Sequence, residues 1–172
     1  MNFFRKLVTP IGELYVECNL HQVVAVHFGE DDFCRSNPAV VAAKAENLLG
    51  EVVRQLELYF AGQLRIFKLP LPDCGSEFQR RVLRQVASIP YGQVATYGDI
   101  AASLGQAGAA RAVGGACNRN PWPIIIPCHR VIGSNGKNIG YRGGVSAKRW
   151  LLDMERRQKN DLGYGGVNCG SS

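Results

Sequence analysis

Cys128 is followed directly by His129 and Arg130, and these residue types in this order permit nucleophilic chemistry at sulfur. A thiol attacks as its thiolate, and a neighbouring imidazole or cation favours that form. Side chains of adjacent residues in an extended segment point apart, so His129 serves Cys128 through a water molecule or after a sharp turn. An imidazole base also needs an orienting partner, and Glu155 is the carboxylate suited to that role. Taken as an isolated dipeptide, the pair also fits ordinary packing, since structural cysteines are inert.

The elements around Cys128 must fix it in space. Pro121, Pro123 and Pro127 prevent a helix, and Ile124, Ile125 and Ile126 predict an extended buried segment with Cys128 at its end. Downstream, Ala147, Trp150, Leu151 and Met154 form the apolar stripe of a last helix, with Glu155 at its margin. Upstream, Ser76 with Gln79 and Thr96 with Asp99 predict two capping boxes. The first opens a helix whose Phe78, Val82, Leu83 and Val86 lie opposite Arg80, Arg81 and Arg84. The second opens a short helix through Leu104 that stops at Gly105. Another helix runs from about residue 107 to Asn118, and two short helices across a glycine turn have the form of a helix-turn-helix.

That second helix lacks the long polar side chains that read base edges: Ala110, Ala112, Gly114 and Gly115 are small, and only Arg111 is long and charged. Such a surface either approaches a sugar-phosphate backbone closely or packs against a neighbouring helix. Read by themselves, Arg111 is a solvated phosphate contact, and Tyr97 and Tyr141 are core aromatics with satisfied hydroxyls.

The start of the chain reads differently. Residues Phe3 to Val8, Glu13 to Cys18 and Val23 to Phe28 predict an antiparallel meander, and apolar spacing from Pro38 to Phe60 predicts one long helix. Leu64 to Leu69 is a candidate further strand. The segment from Pro70 to Gly75 is the clearest linker. Residues 1–72 carry seven basic and eight acidic side chains, while 73–172 carry thirteen and six, so the excess of six positive charges lies wholly in the second part. The expected fold is α+β. A small α/β lobe (1–72) with antiparallel strands and one long helix precedes a mostly helical lobe (73–159) containing the helix-turn-helix, and a glycine-rich tail (160–172) is expected to be mobile.

At 172 residues and 46% hydrophobic composition, the chain can bury a core and is not intrinsically disordered. No stretch has the length of a membrane span, and the first residues are not followed by a signal-peptide core, so a cytoplasmic protein is expected. The six cysteines are too sparse for a disulfide scaffold and are expected to be mostly free thiols.

The run Pro127-Cys128-His129-Arg130-Val131, preceded by Asn120-Pro121 and the three isoleucines, resembles the active-site signature of the O6-alkylguanine-DNA alkyltransferases, also called methylated-DNA–protein-cysteine methyltransferases. The resemblance extends from about Tyr91 to Glu155. It includes Tyr97, the run from Ala110 to Ala116, Gly140-Tyr141, and Trp150-Leu151-Leu152 with Glu155. The first lobe fits the family's small α/β domain more loosely.

This resemblance implies a single-turnover enzyme of direct-reversal DNA repair. Cys128 would take the alkyl group from guanine O6 onto its own sulfur, with His129, a bridging water and Glu155 favouring the thiolate. A thioether has no easy reverse route, so the protein would act once. Tyr97 would help protonate the departing guanine, and Asn120 would brace the turn that holds Cys128. Backbone groups of Val131 and Arg142 would bond the flipped base, and the ring of Tyr141 would wall the pocket. In-line attack needs the base outside the stack, and Arg111 would enter by the minor groove, its small neighbours Ala110, Ala112 and Gly114 allowing close approach. The partner would be double-stranded DNA containing O6-alkylguanine, bound by a monomer with no obligate protein partner.

No cofactor is expected. Some family members bind zinc in the first lobe, but Cys18, His21, His27 and Cys34 match no compact finger, so no metal is expected either. The alternative within the resemblance is a sensor that binds alkylguanine without transferring the group, and the presence of Cys128 argues against it. A Cys-His hydrolase and a plain helix-turn-helix regulator are weaker still, for want of an oxyanion hole and of a base-reading helix.

Overall fold

The computed structural model describes residues 1–29, 43–137 and 140–161. Three strands, β1 (Phe3–Thr9), β2 (Gly12–Cys18) and β3 (Val23–Phe28), pair antiparallel in the order β1-β2-β3. This is the meander expected from the β-branched runs. Helix α1 (Ala43–Phe60) packs on β1 and β2. Its Ala45, Leu49, Val52, Leu56 and Tyr59 recur at three- and four-residue spacing and are fully buried, as one face of an amphipathic helix requires. The expected helix start, residues 38–42, lies outside the described residues, as do Cys34 and residues 162–172 of the expected tail.

Residues 64–69 form no strand, which corrects the sequence expectation. The side chain of Gln55 holds this segment instead, accepting from Lys68 N and donating to Lys68 O at 2.9 and 3.1 Å. A side-chain amide thus substitutes for one rung of a ladder, and no partner strand is needed.

Beyond the coil at 61–76 the chain turns helical. Helix α2 (Glu77–Ala87) is capped by Ser76, whose hydroxyl accepts from Gln79 N at 3.1 Å. The expected reciprocal half of that box does not form, because the Gln79 amide donates to Arg119 O. A two-residue strand β4 (Ala95–Thr96) leads into α3 (Tyr97–Ser103), where Thr96 and Asp99 complete their box in both directions. Helix α4 (Ala110–Asn118) starts about three residues later than expected, after Gly108 at φ +95°. The apolar faces of α2, α3 and α4 meet on Val82, Val86, Ile100, Ala101, Val113 and Ala116.

The isoleucine segment departs from expectation. It is a tight turn and not an extended run: Ile126 N donates to Trp122 O at 2.8 Å, and buried Ile124 takes φ +72°, a left-handed conformation that β-branched residues rarely adopt. Three prolines restrict the backbone around it, and the Ile124 side chain is almost fully buried. A 3₁₀ turn (Cys128–Arg130) follows, then β5 (Val131–Ile132), parallel to β4, and α5 (Val145–Asp161). Among the described residues no helix is long and apolar enough to cross a membrane.

Both parts of the chain share one apolar core. Strand β3 is stitched to the proline segment by Val26 N to Pro121 O and by Trp122 Nε1 to Val23 O, each 2.8 Å. Phe28 lies edge-on to Tyr141, and its ring occupies the space that a Cβ at Gly143 would need, within 2.6 to 2.9 Å. Gly143→Ala is therefore expected to lower stability by about 1–3 kcal/mol, measured by urea unfolding. A stability equal to wild type would show that the Phe28 ring yields at no cost.

Candidate active site

Cys128, His129 and Arg130 all lie in the 3₁₀ turn and are all buried. Cys128 N donates to Ile126 O at 2.8 Å and Arg130 N to Pro127 O at 2.9 Å, so the backbone reverses where an extended chain would have splayed the side chains. Asn120, almost fully buried, closes the preceding turn by donating to Ile126 O and accepting from Trp122 N, each at 3.0 Å. Parallel pairing of Ala95 with Val131 and Thr96 with Ile132 sets Tyr97 beside this turn.

Glu155 is fully buried, not marginal as its place in the stripe suggested. Its carboxylate accepts from His129 Nε2 (2.8 Å), Tyr59 Oη (2.6 Å), Arg130 Nε (2.9 Å), Arg130 Nη2 (3.0 Å) and Gly92 N (3.2 Å). Burial pushes this carboxyl up, but the hydrogen bonds from His129 and Arg130 and the charge of Arg130 outweigh it and hold the pKa at about 2. The Arg130 and Gly92 nitrogens can only donate, and the Tyr59 hydroxyl donates to the same carboxylate, so Glu155 is an ionised acceptor. The hydrogen bond to His129 then requires the proton on Nε2. Burial depresses the His129 pKa despite the attraction of Glu155, a direction that favours the neutral ring. In that form Nδ1 is left as a basic lone pair, and this buried atom has no hydrogen-bond partner among the described residues.

Burial pushes the Cys128 thiol up, so it rests protonated; a hydrogen bond from Asn120 and the charges of Lys148 and Arg142 act in the opposite direction. Lys148 is buried, with Nζ donating to Val131 O at 2.6 Å, and burial lowers its pKa. Tyr141 is buried, its ring edge-on to His129 with centroids 6.5 Å apart, and its hydroxyl also lacks a hydrogen-bond partner among the described residues. Burial raises the Tyr97 phenol to about 12, so it is a donor across the physiological range.

Cys128, Tyr97, Asn120, Tyr141 and Arg142 line one small recess together with Cys117, Asn118 and Gly140. Tyr97, Asn118 and Gly140 also line a second, open groove of about 830 Å³, where they meet Ala110, Arg111, Gly114, Ser134 and Asn135. Ala112, exposed on α4, does not line it. Of the residues singled out from sequence, Cys128, His129, Glu155, Asn120, Val131, Tyr97, Tyr141 and Arg142 thus converge, and Arg111 stands on the adjoining groove. In the first lobe Cys18 is buried, His27 bonds Glu17 at 2.8 Å and His21 meets Lys44 at 3.2 Å.

Sequence reading missed Lys148 and Tyr59. Lys148 precedes Leu151 by three residues and Glu155 by seven, so helical spacing already placed it on the buried face. Tyr59 falls within the apolar spacing that predicts α1, and nothing in that spacing gives its hydroxyl a task.

A buried thiol, an imidazole held by a saturated carboxylate, and an open groove beside a helix-turn-helix are the parts of a cysteine-based transferase that binds nucleic acid. Residues 3–72 match the ribonuclease-like domain of 6-O-methylguanine DNA methyltransferase and residues 77–157 match its DNA binding domain. The chain belongs to this family. A methylated-DNA–protein-cysteine methyltransferase of Mycobacterium leprae is 43% identical over 155 residues, 90% of this chain and 92% of the relative. One of Mycolicibacterium paratuberculosis is 55% identical over 160 residues, again 90% and 92%. The crystal structure of Mycobacterium tuberculosis OGT in complex with DNA is similar with a TM-score of 0.80 at 40% identity, over 91% of this chain and 94% of that one.

The Glu155 cluster has a pH signature. Its folded pKa of about 2 lies below the ordinary carboxylate value, so its contribution is complete above about pH 4.5 and is lost as pH falls toward 2. Glu155→Gln is expected to cost about 3–5 kcal/mol at pH 7, because the Arg130 charge stays buried without its partner. Urea unfolding at pH 7 and pH 3 measures this, and the gap between the two proteins should narrow at pH 3.

Proposed function

We propose that this protein repairs DNA by irreversible transfer of an alkyl group from guanine O6 to Cys128. The observation that carries the reading is the recess around Cys128, which shares Tyr97, Asn118 and Gly140 with the groove of the helix-turn-helix. His129 Nδ1 takes the thiol proton through a water molecule, and Glu155 stabilises the imidazolium that forms. Sulfur attacks the alkyl carbon in line, the carbon–oxygen bond breaks, and its electron pair stays with the guanine. Tyr97 protonates a ring nitrogen of that leaving group. The thioether has no return path, so each molecule acts once.

Asn120 braces the cysteine turn. The backbone of Val131 and Arg142 binds the extrahelical base, and Tyr141 forms the wall of the pocket. Arg111 fills the space that the flipped nucleotide leaves, and Ala110, Ala112 and Gly114 let α4 approach the minor groove. The positive charge of the second lobe supports DNA as partner. The division into lobes at Pro72 belongs to the same proposal, as does action by a monomer, since one chain supplies every site group.

Intact-protein mass after incubation with a duplex bearing one O6-methylguanine tests the transfer. One methyl-for-hydrogen increment per molecule is expected on Cys128 and none on Cys128→Ala. Binding of the duplex without any change in mass would replace transfer by sensing. Arg111→Ala is expected to slow transfer from duplex DNA by about tenfold or more while leaving reaction with a free O6-alkylguanine base near wild type. Equal slowing of both, measured by the same mass assay, would place Arg111 in stability and not in flipping.

A further inference from the structure

Every residue assigned to the transfer so far lies beyond Asp73, yet one hydroxyl from α1 reaches the centre of the site. Tyr59 is fully buried and donates at 2.6 Å to Oε1 of Glu155, the oxygen that also accepts from His129 Nε2 and Arg130 Nη2. The same hydroxyl stands 3.4 Å from His129 Nε2. Its ring is boxed by Phe60 and Phe67, each at 5.5 Å, and by Tyr91 at 6.2 Å, so it cannot swing away.

We infer that Tyr59 is a positioning residue of the active site: its hydroxyl draws on the charge of Glu155 Oε1 and so limits how strongly that oxygen holds a proton on His129. Three donors share one oxygen, and each weakens the claim of the others. Taking away the Tyr59 bond leaves more negative charge facing the imidazole. The imidazolium then becomes easier to form, and the ring becomes protonated at a higher pH. Burial keeps the Tyr59 phenol a neutral donor throughout.

The surrounding charged and titratable groups are fixed by other elements. Arg130 of the turn pairs with Glu155, while Tyr91 and Tyr141 act on the carboxylate at longer range. Lys148 of α5 and Arg130 face His129, Cys128 precedes it, and Arg142 acts on Cys128. All of these groups remain when one oxygen is removed from Tyr59. The role rests on the alkyl-transfer reading for its consequence but not for its test.

Tyr59→Phe keeps the ring and deletes the hydroxyl. Nitrogen-15 NMR of the His129 ring, followed against pH, should show the protonation midpoint rising by about one pH unit relative to wild type. The pH profile of methyl transfer in single-turnover assays should move its acid limb the same way, with DNA affinity unchanged. An unmoved midpoint overturns the inference, including the case in which transfer is slower at every pH, because that is the mark of a packing residue. If the wild-type protein transfers no methyl group, the functional reading fails while the NMR titration still decides this one. Should Tyr59→Phe not fold, 3-fluorotyrosine placed at position 59 keeps the ring and makes its hydroxyl a stronger donor. The His129 midpoint should then fall below wild type, and an unmoved midpoint overturns the inference.

Discussion

The structure is organised around one buried carboxylate. Glu155 on α5 receives hydrogen bonds from the cysteine turn through His129 and Arg130, from α1 through Tyr59, and from the loop before β4 through Gly92. An ionised carboxylate without water is tolerable only when its acceptor capacity is filled, so these elements cannot drift independently. The same saturation fixes the tautomer of His129. Stability and reactivity are therefore linked through one group.

Cys128, the proposed nucleophile, is placed under opposing influences. Its burial favours the thiol, while Asn120, Lys148 and Arg142 favour the thiolate without prevailing. A resting cysteine of this kind is shielded from chance electrophiles and oxidants and gains reactivity when a base removes its proton. Lys148 contributes from the face of α5 that also carries Glu155. One helix thus supplies both the carboxylate behind the imidazole and the cation near the sulfur.

Much of this was legible in the sequence because local rules govern it. The meander, the α1 stripe and the Thr96 box follow from side-chain period and from a polar residue at a helix start, and each is decided within a few residues. The turn at Ile124 was not legible, because its left-handed backbone accompanies burial of the side chain among distant partners. The second half of the Ser76 box failed for a similar reason: Arg119 O, forty residues away, claims the Gln79 amide. Cys128 and His129 announced themselves by adjacency and by family resemblance. Tyr59 and Lys148 did not, since a hydroxyl in an apolar stripe and an amine on a helix are unremarkable until the fold supplies their partners.

Two of the bonds that join the parts of the chain span very different places in the sequence: Tyr59 to Glu155 is separated by 96 residues, and Val23 to Trp122 by 99. Contacts of such long range carry the entropy cost of closing a large loop. The surroundings of Cys128 therefore depend on residues from nearly the whole length of the described chain. A chain emerging from synthesis has made Cys128 before the residues that complete its surroundings, including Glu155, exist. A chain that stops short of Glu155 carries the thiol without the carboxylate that orients the neighbouring imidazole.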